Sequence, residues 1–318
     1  MWLFFIFISC IARFANAGTI WIDTDPSTGS PFREVDDAFA LLLASQSPDV
    51  RIAGISTTYG NASLRDTTRS AKYLVDRFGA PAGLSPADVH AGASSARNLG
   101  RRTFATEALA AELRKEKRLT YVALGPLTNL ATFLEIHPEL TDRIERIISV
   151  GGTSRAGKVA VGPNDWFRIH DANVFKDPEA ARVVLESNIP LLLTPVETSS
   201  AQLTLDAADL RVLGASGPSG AYLYRKSRVW LWFWTRFIKA KGAPPFDVLA
   251  IIPATRPDLL ITEKRYAALD QSGNLIVRRR SMNHSRPVQW CSGVADNTKS
   301  FVLQRLSASD DRFWRQKP

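Results

Sequence analysis

Apolar and polar positions along this chain fall into blocks whose period changes. Residues 19–22 form a short apolar run, and residues 50–57, 119–124, 144–150 and 190–195 read as further strands. Stretches of helical spacing lie between them. One runs from Ala38 to Leu43 with Asp36 and Asp37 in its first turn, one covers residues 64–78, one starts at Leu127, and one covers residues 178–187. Gly125-Pro126 and Gly151-Gly152 punctuate two strand ends. Strand, loop and helix in this order predict an α/β fold, a mostly parallel open sheet flanked by helices on both faces. Ligands of such sheets bind beyond the carboxyl ends of the strands. Residues from about 201 to 241 read as helical with loops and contain the aromatic run Val229-Trp230-Leu231-Trp232-Phe233-Trp234. Residues 282–306 read as a strand pair, or a strand and a helix. No linker or repeat divides residues 18–318, so they read as one domain.

Composition adds class and compartment. The chain has 318 residues, 45% hydrophobic and 22% charged, enough for one large core. Its net charge is +9, but the basic residues are scattered and no basic and aromatic residues interleave as in RNA-binding modules. No nucleic-acid partner is expected. Residues 2–8 are apolar and too few to span a bilayer, and Ala15-Asn16-Ala17 has the small-residue pattern of a signal-peptidase site. Residues 1–17 therefore read as a signal peptide, with a periplasmic or secreted product and no membrane association after cleavage. Of two cysteines, Cys10 leaves with the signal unless it carries a lipid, and Cys291 remains without a disulfide partner.

The candidate chemistry is acidic. Asp23, Asp25, Asp36 and Asp37 crowd the end of the first strand and the start of the first helix. Carboxylates gathered in this way repel unless a cation sits among them. Hard oxygen ligands favour Ca2+, Mg2+ or Mn2+, and the four histidines show no zinc spacing. The helix dipole alone favours Asp36 and Asp37 at a helix start. It leaves Asp23 and Asp25, at a strand end, without an explanation. Asp23-Thr24-Asp25 also suits the aspartyl nucleophile of a haloacid-dehalogenase-type phosphatase, although the Asp36-Asp37 pair comes too early for that order.

Ile22-Asp23-Thr24-Asp25-Pro26 followed by Val35-Asp36-Asp37-Ala38 resembles the amino-terminal motif of the inosine–uridine-type nucleoside hydrolases. That motif is usually compact, D-x-D-P-G-x-D-D-A, and here residues are inserted between Pro26 and Asp36. Tyr59-Gly60-Asn61, Gly125-Pro126-Leu127-Thr128-Asn129, Gly151-Gly152, Asp171-Ala172-Asn173 with Asp177-Pro178-Glu179-Ala180-Ala181, and Phe246-Asp247 are similar to the family's later motifs, in family order. The resemblance implies Ca2+-dependent hydrolysis of the N-glycosidic bond of a small-molecule ribonucleoside, either a purine nucleoside or inosine/uridine, by a homo-oligomer (dimer or tetramer). It implies metal ligation by Asp23, Asp25, Asp37, Asp247 and the carbonyl of Leu124, with Asp25 as the base for the attacking water. It implies ribose contacts from Asp36, Asn61, Asn164, Asp171 and Asn173. Many members carry a histidine before the last acid, where this chain has Phe246. Aromatic stacking on a purine then replaces it, and Trp234 is the expected base contact. Asp171 replaces the glutamate of the family's E-F-N. These departures motivate an alternative, a calcium-bearing nucleoside or ribose receptor without turnover.

Overall fold

The computed structural model describes residues 18–28, 33–155 and 158–307. The expected signal peptide, with Cys10, lies outside the described residues. The strands are β1 (Gly18–Thr24), β2 (Val50–Thr57), β3 (Val89–Ala91), β4 (Leu119–Ala123), β5 (Ile144–Val150), β6 (Lys158–Val161), β7 (Phe167–His170), β8 (Leu191–Thr194), β9 (Leu260–Leu269), β10 (Leu275–Arg278) and β11 (Arg286–Val294). Nine of them make one sheet in the order β10-β9-β11-β8-β5-β4-β1-β2-β3, and β6 and β7 form a separate antiparallel hairpin. From β11 to β3 every pairing is parallel. The pairings of β9 with β10 and β11 are antiparallel. The expected mostly parallel α/β sheet is therefore what forms.

Side chains alternate across the central strands and feed two hydrophobic layers. Ile20 and Ile22 of β1 join Phe39, Leu42, Leu74 and Ile251 on one face. Trp21 joins Tyr121, Leu109, Phe133 and Val184 on the other. Trp21 is fully buried, and Gly54 beside it leaves room for the indole, since a Cβ there would lie 2.4 Å from the ring. Burial of each large apolar side chain contributes about 1.5–3 kcal/mol.

Helix Asp36–Ser45 is buried along its whole length. Its sequence is apolar on every side after the first turn, as expected of a helix held inside a core. Asp36 and Asp37 are thereby buried at the carboxyl edge of β1. Among the described residues no helix is long and apolar enough to cross a membrane.

The structure settles one open choice of the sequence reading and adds strands to it. Residues 282–306 resolve as strand β11 followed by helix Thr298–Ser307. Strands β9 and β10 and the hairpin β6–β7 were not anticipated. Glu263, Lys264 and Arg265 lie in the middle of β9, where they break an apolar strand signature, and β9 is partly exposed along much of its length.

Candidate active site

The carboxyl ends of β1, β2, β4 and β5 converge on the acid-rich segment. Register explains the position of Asp23, which lies opposite Ser56 of β2 and Ala123 of β4. Its Oδ1 accepts the Ser56 hydroxyl at 2.6 Å and the Asn129 amide at 2.8 Å. Trp21 donates its indole N–H to the same Ser56 hydroxyl. Asp23 is thus anchored to the sheet through one oxygen, while Oδ2 is buried without a partner. Burial pushes its carboxyl up to about 6, against the pull of those hydrogen bonds.

Asp25 and Asp37 form the centre. The Thr24 hydroxyl donates to Asp37 Oδ1 at 2.5 Å, and the Asp25 amide donates to the same oxygen at 3.1 Å. Asn61 joins the two acids, its amide donating to Asp25 Oδ2 at 2.6 Å and its side chain to Asp37 Oδ2 at 3.2 Å. Gly60, at φ +155°, allows this approach because a Cβ there would fall 1.8 Å from Asp25 Oδ2. Gly125 closes the other side, where a Cβ would come 3.0 Å from Asp25 Oδ1. Asp25 Oδ1 is buried and unpartnered.

Asp36, Asp37 and Asp247 each offer an oxygen within 4.8 Å of the others, and all three are buried. Asp36 Oδ1 has no hydrogen-bond partner. No side chain caps helix Asp36–Ser45, and Asp247 makes no capping bond to helix Val248–Thr255. The acids are therefore not occupied as caps. Burial first, then the charges of the neighbouring acids, holds the carboxyls of Asp25, Asp36 and Asp247 well above the ordinary range. Lys176 pulls Asp25 and Asp37 the other way.

This donor set fits a divalent cation. Buried carboxylates without compensation are destabilising, the unpartnered oxygens are hard ligands, and burial with mutual repulsion keeps the acids from all ionising without positive charge. The tightest grouping contains Asp36, which the sequence reading assigned to ribose. Asp23, assigned to the metal, reaches an ion only through Oδ2.

The remaining predicted residues divide. Asp171 is buried and accepts the Gly152 amide at 2.6 Å and the Val174 amide at 3.4 Å. A Cβ at Gly151, φ +152°, would lie 3.0 Å from its Oδ2, so the Gly-Gly turn makes the space for this acid. Asn173 donates to the Leu124 carbonyl at 2.8 Å and to the Val150 carbonyl at 3.2 Å, bridging the ends of β4 and β5. The Leu124 oxygen keeps a second lone pair. Asn164 stands apart. It occupies a left-handed conformation (φ 57°) at the exposed turn between β6 and β7, and no hydrogen bond among the described residues joins it to the acids.

Trp234 is buried with its indole nitrogen unpartnered, and its ring meets Phe246 edge to face at 5.6 Å. It lies in a π-helical turn, Phe233–Phe237, that continues helix Pro218–Trp232. Phe246 directly precedes Asp247, so the aromatic pair borders the acids.

Sequence reasoning missed Glu34. Trp230 donates its indole N–H to Glu34 Oε2 at 2.5 Å, and the Glu34 charge raises the carboxyls of Asp36 and Asp247. The signal was its place two residues before the acid pair. Asn129, which holds Asp23 from behind, was quoted in a motif without a role.

A family model described as inosine-uridine preferring nucleoside hydrolase matches residues 20–302. Over 284 residues the chain is 31% identical to an uncharacterized protein of Schizosaccharomyces pombe, with 79% of each covered. It is 30% identical over 287 residues to the pyrimidine-specific ribonucleoside hydrolase RihA of Escherichia coli O6:H1, covering 80% of this chain and 85% of that protein. Among solved structures, a plant nucleoside hydrolase shares the fold with a TM-score of 0.75 at 24% identity, covering 92% of this chain and 99% of that one. A purine-preferring ribonucleoside hydrolase from Gardnerella vaginalis does so with a TM-score of 0.74 at 22% identity, covering 91% and 98%.

Proposed function

This chain belongs to the inosine-uridine preferring nucleoside hydrolase family, whose members hydrolyse N-glycosyl compounds, and we propose that it cleaves purine ribonucleosides to free base and ribose with Ca2+ as cofactor. Nucleoside hydrolysis follows from membership, and with it the phosphatase alternative falls. The reading of the cation is carried by the buried acids, with Asp36, Asp37 and Asp247 in one grouping and Asp23 Oδ2, Asp25 Oδ1 and Asp36 Oδ1 without partners.

Asp25, Asp37, Asp247 and the Leu124 carbonyl would hold the ion, with Asp36 within reach of both the ion and the ribose and Asp23 contributing through Oδ2. The chemistry a divalent cation supplies in such a site is to acidify and orient the attacking water. Asp25 takes the water's proton on Oδ1, because the Asn61 amide fixes Oδ2 and so sets the direction of the free oxygen. Asp36, Asn61, Asp171 and Asn173 serve the ribose hydroxyls. As the glycosidic bond breaks, the sugar gains oxocarbenium character, and the surrounding carboxylates favour that positive charge.

The purine assignment rests on Phe246 and Trp234. An aromatic wall stacks best on the larger ring system. A second reading, pyrimidine ribonucleosides, is favoured by the 30% identity to a relative named as pyrimidine-specific. A panel of ribosides with reducing-sugar detection separates the two. Faster release from inosine and adenosine than from uridine and cytidine supports purine cleavage, and the reverse order selects the second reading. Asp25→Asn abolishes release in either case. Nucleoside binding without release from any riboside, with Ca2+ bound, overturns both and leaves the receptor.

Two further parts of the reading concern location and assembly. The apolar run at residues 2–8 and Ala15-Asn16-Ala17 support export. A mature chain beginning at Gly18 in the periplasm or medium is the expected observation, and an intact Met1 in the cytoplasm rejects it. The dimer or tetramer expected from the family is tested by light scattering.

A further inference from the structure

Glu34 lies where this chain is longer than the compact family motif, between Pro26 and Asp36. The Ser27 hydroxyl donates to the Glu34 carbonyl at 2.9 Å, which ties the two ends of the inserted segment together. The Glu34 side chain turns towards the aromatic helix, where its Oε2 accepts the Trp230 indole N–H at 2.5 Å. Trp230 is buried, with its ring 5.9 Å from that of Phe39. One turn further on, Trp234 packs on Phe246.

Glu34 thus stands between two parts of the site. On one side are Asp36 and Asp247, near enough to feel its charge. On the other is the helix that carries the aromatic wall. Asp36, Asp37 and Asp247 are buried, but Glu34 is partly exposed, and among the described residues its Oε1 has no hydrogen-bond partner.

We propose that Glu34 is a base-recognition residue, with Oε1 accepting an N–H from the edge of the nucleobase while the Trp230 indole holds Oε2. This rests on the nucleoside-hydrolase reading. In its ionised form Glu34 only accepts hydrogen bonds, so the partner of that form is a donor. Hypoxanthine and guanine offer N1–H, and uracil offers N3–H. Ribose hydroxyls are also donors, but Asp36, Asn61, Asp171 and Asn173 already serve them. Glu34 is tied instead to the helix on the base side.

The test compares inosine with N1-methylinosine, and uridine with N3-methyluridine, in the Ca2+-loaded wild type, Glu34→Ala and Glu34→Gln. Wild type favours the unmethylated nucleosides by about ten- to a hundredfold in kcat/KM, the range of one hydrogen bond to a charged group. Glu34→Ala brings that ratio close to one, and Glu34→Gln, which keeps the shape and a neutral acceptor, gives an intermediate ratio. Loss of activity by the same factor on methylated and unmethylated substrates, or a ratio that survives Glu34→Ala, overturns the proposal. If Glu34→Ala fails to fold, the Glu34→Gln ratio decides. A wild type that cleaves none of the four nucleosides refutes the functional reading itself, a separate failure.

Discussion

The backbone amide of Asn61 donates to Oδ2 of Asp25 across 2.6 Å, so the base of the reaction is aimed by the chain segment that follows β2. Gly60 makes this approach possible. Gly60→Ala puts a methyl group where Asp25 Oδ2 now sits and forces the carboxylate or the loop aside. A displacement of about 1 Å at a reacting group lowers the rate roughly 100-fold. We expect kcat to fall by about that factor while the melting temperature shifts by only a few degrees. A variant with wild-type kcat removes Asp25 from the role of base.

The acids give the metal-free protein an unusual pH dependence. Asp23 is raised to about 6 and Glu34 to about 7, and Asp25, Asp36 and Asp247 are raised too, all chiefly by burial. A carboxyl whose folded pKa exceeds its unfolded value, about 4, contributes stability that is complete below about pH 4. That stability is lost as pH rises through the folded values. The metal-free protein should therefore melt at progressively lower temperature from pH 5 to pH 8. Added Ca2+ reverses the trend, because the cation binds the ionised acids. At a hundredfold excess over Kd it adds about 2.7 kcal/mol. Thermal melts across this range, with and without Ca2+, check the sign. A metal-free protein that is stabilised as pH rises contradicts the assignment.

Asn129 supports the site from below. Its side chain donates to Asp23 Oδ1 and to the Thr57 carbonyl, and its oxygen accepts the Ala93 amide. Asn129→Ala leaves the Ala93 amide unpaired, while Asp23 Oδ1 keeps the Ser56 hydroxyl and the Thr57 carbonyl keeps the Gly92 amide. A buried polar group left unsatisfied costs about 1–3 kcal/mol. Denaturant unfolding should show a loss of about that size. A loss under 1 kcal/mol would mean that water replaces the amide.

Phe246→Ala removes the ring beside Asp247. If this ring stacks on the base, cleavage of purine ribosides falls relative to pyrimidine ribosides by about two- to tenfold, the value of an aromatic contact. An unchanged ratio means that Phe246 shapes the site without touching the base. Steady-state kinetics on inosine and uridine measure it.

The acids were legible in the sequence because a strand end and a helix start, each with paired aspartates, have few ways to avoid meeting. The sheet was legible for a similar reason, as its central strands are continuous apolar runs bounded by glycine and proline. Roles within the cluster were less legible. Asp23 and Asp25 are two residues apart on one strand end, yet register gives Asp23 to Ser56 and Asn129 and gives Asp25 to Asn61. Register depends on neighbours distant in the chain, which no local pattern records. The exposure of Asn164 depends likewise on the β6–β7 hairpin. Glu34 escaped notice because its partner, Trp230, is 196 residues away.

Helix Asp36–Ser45 is enclosed on every side. Its first turn is consequently fixed by the core. Residues inserted between Pro26 and Asp36 can change in number and kind while Asp36 and Asp37 keep their place. Glu34 lies in that stretch, and its charge reaches Asp36 and Asp247. A change of nucleobase preference made at this position therefore leaves the acids where they are and alters the field in which they work.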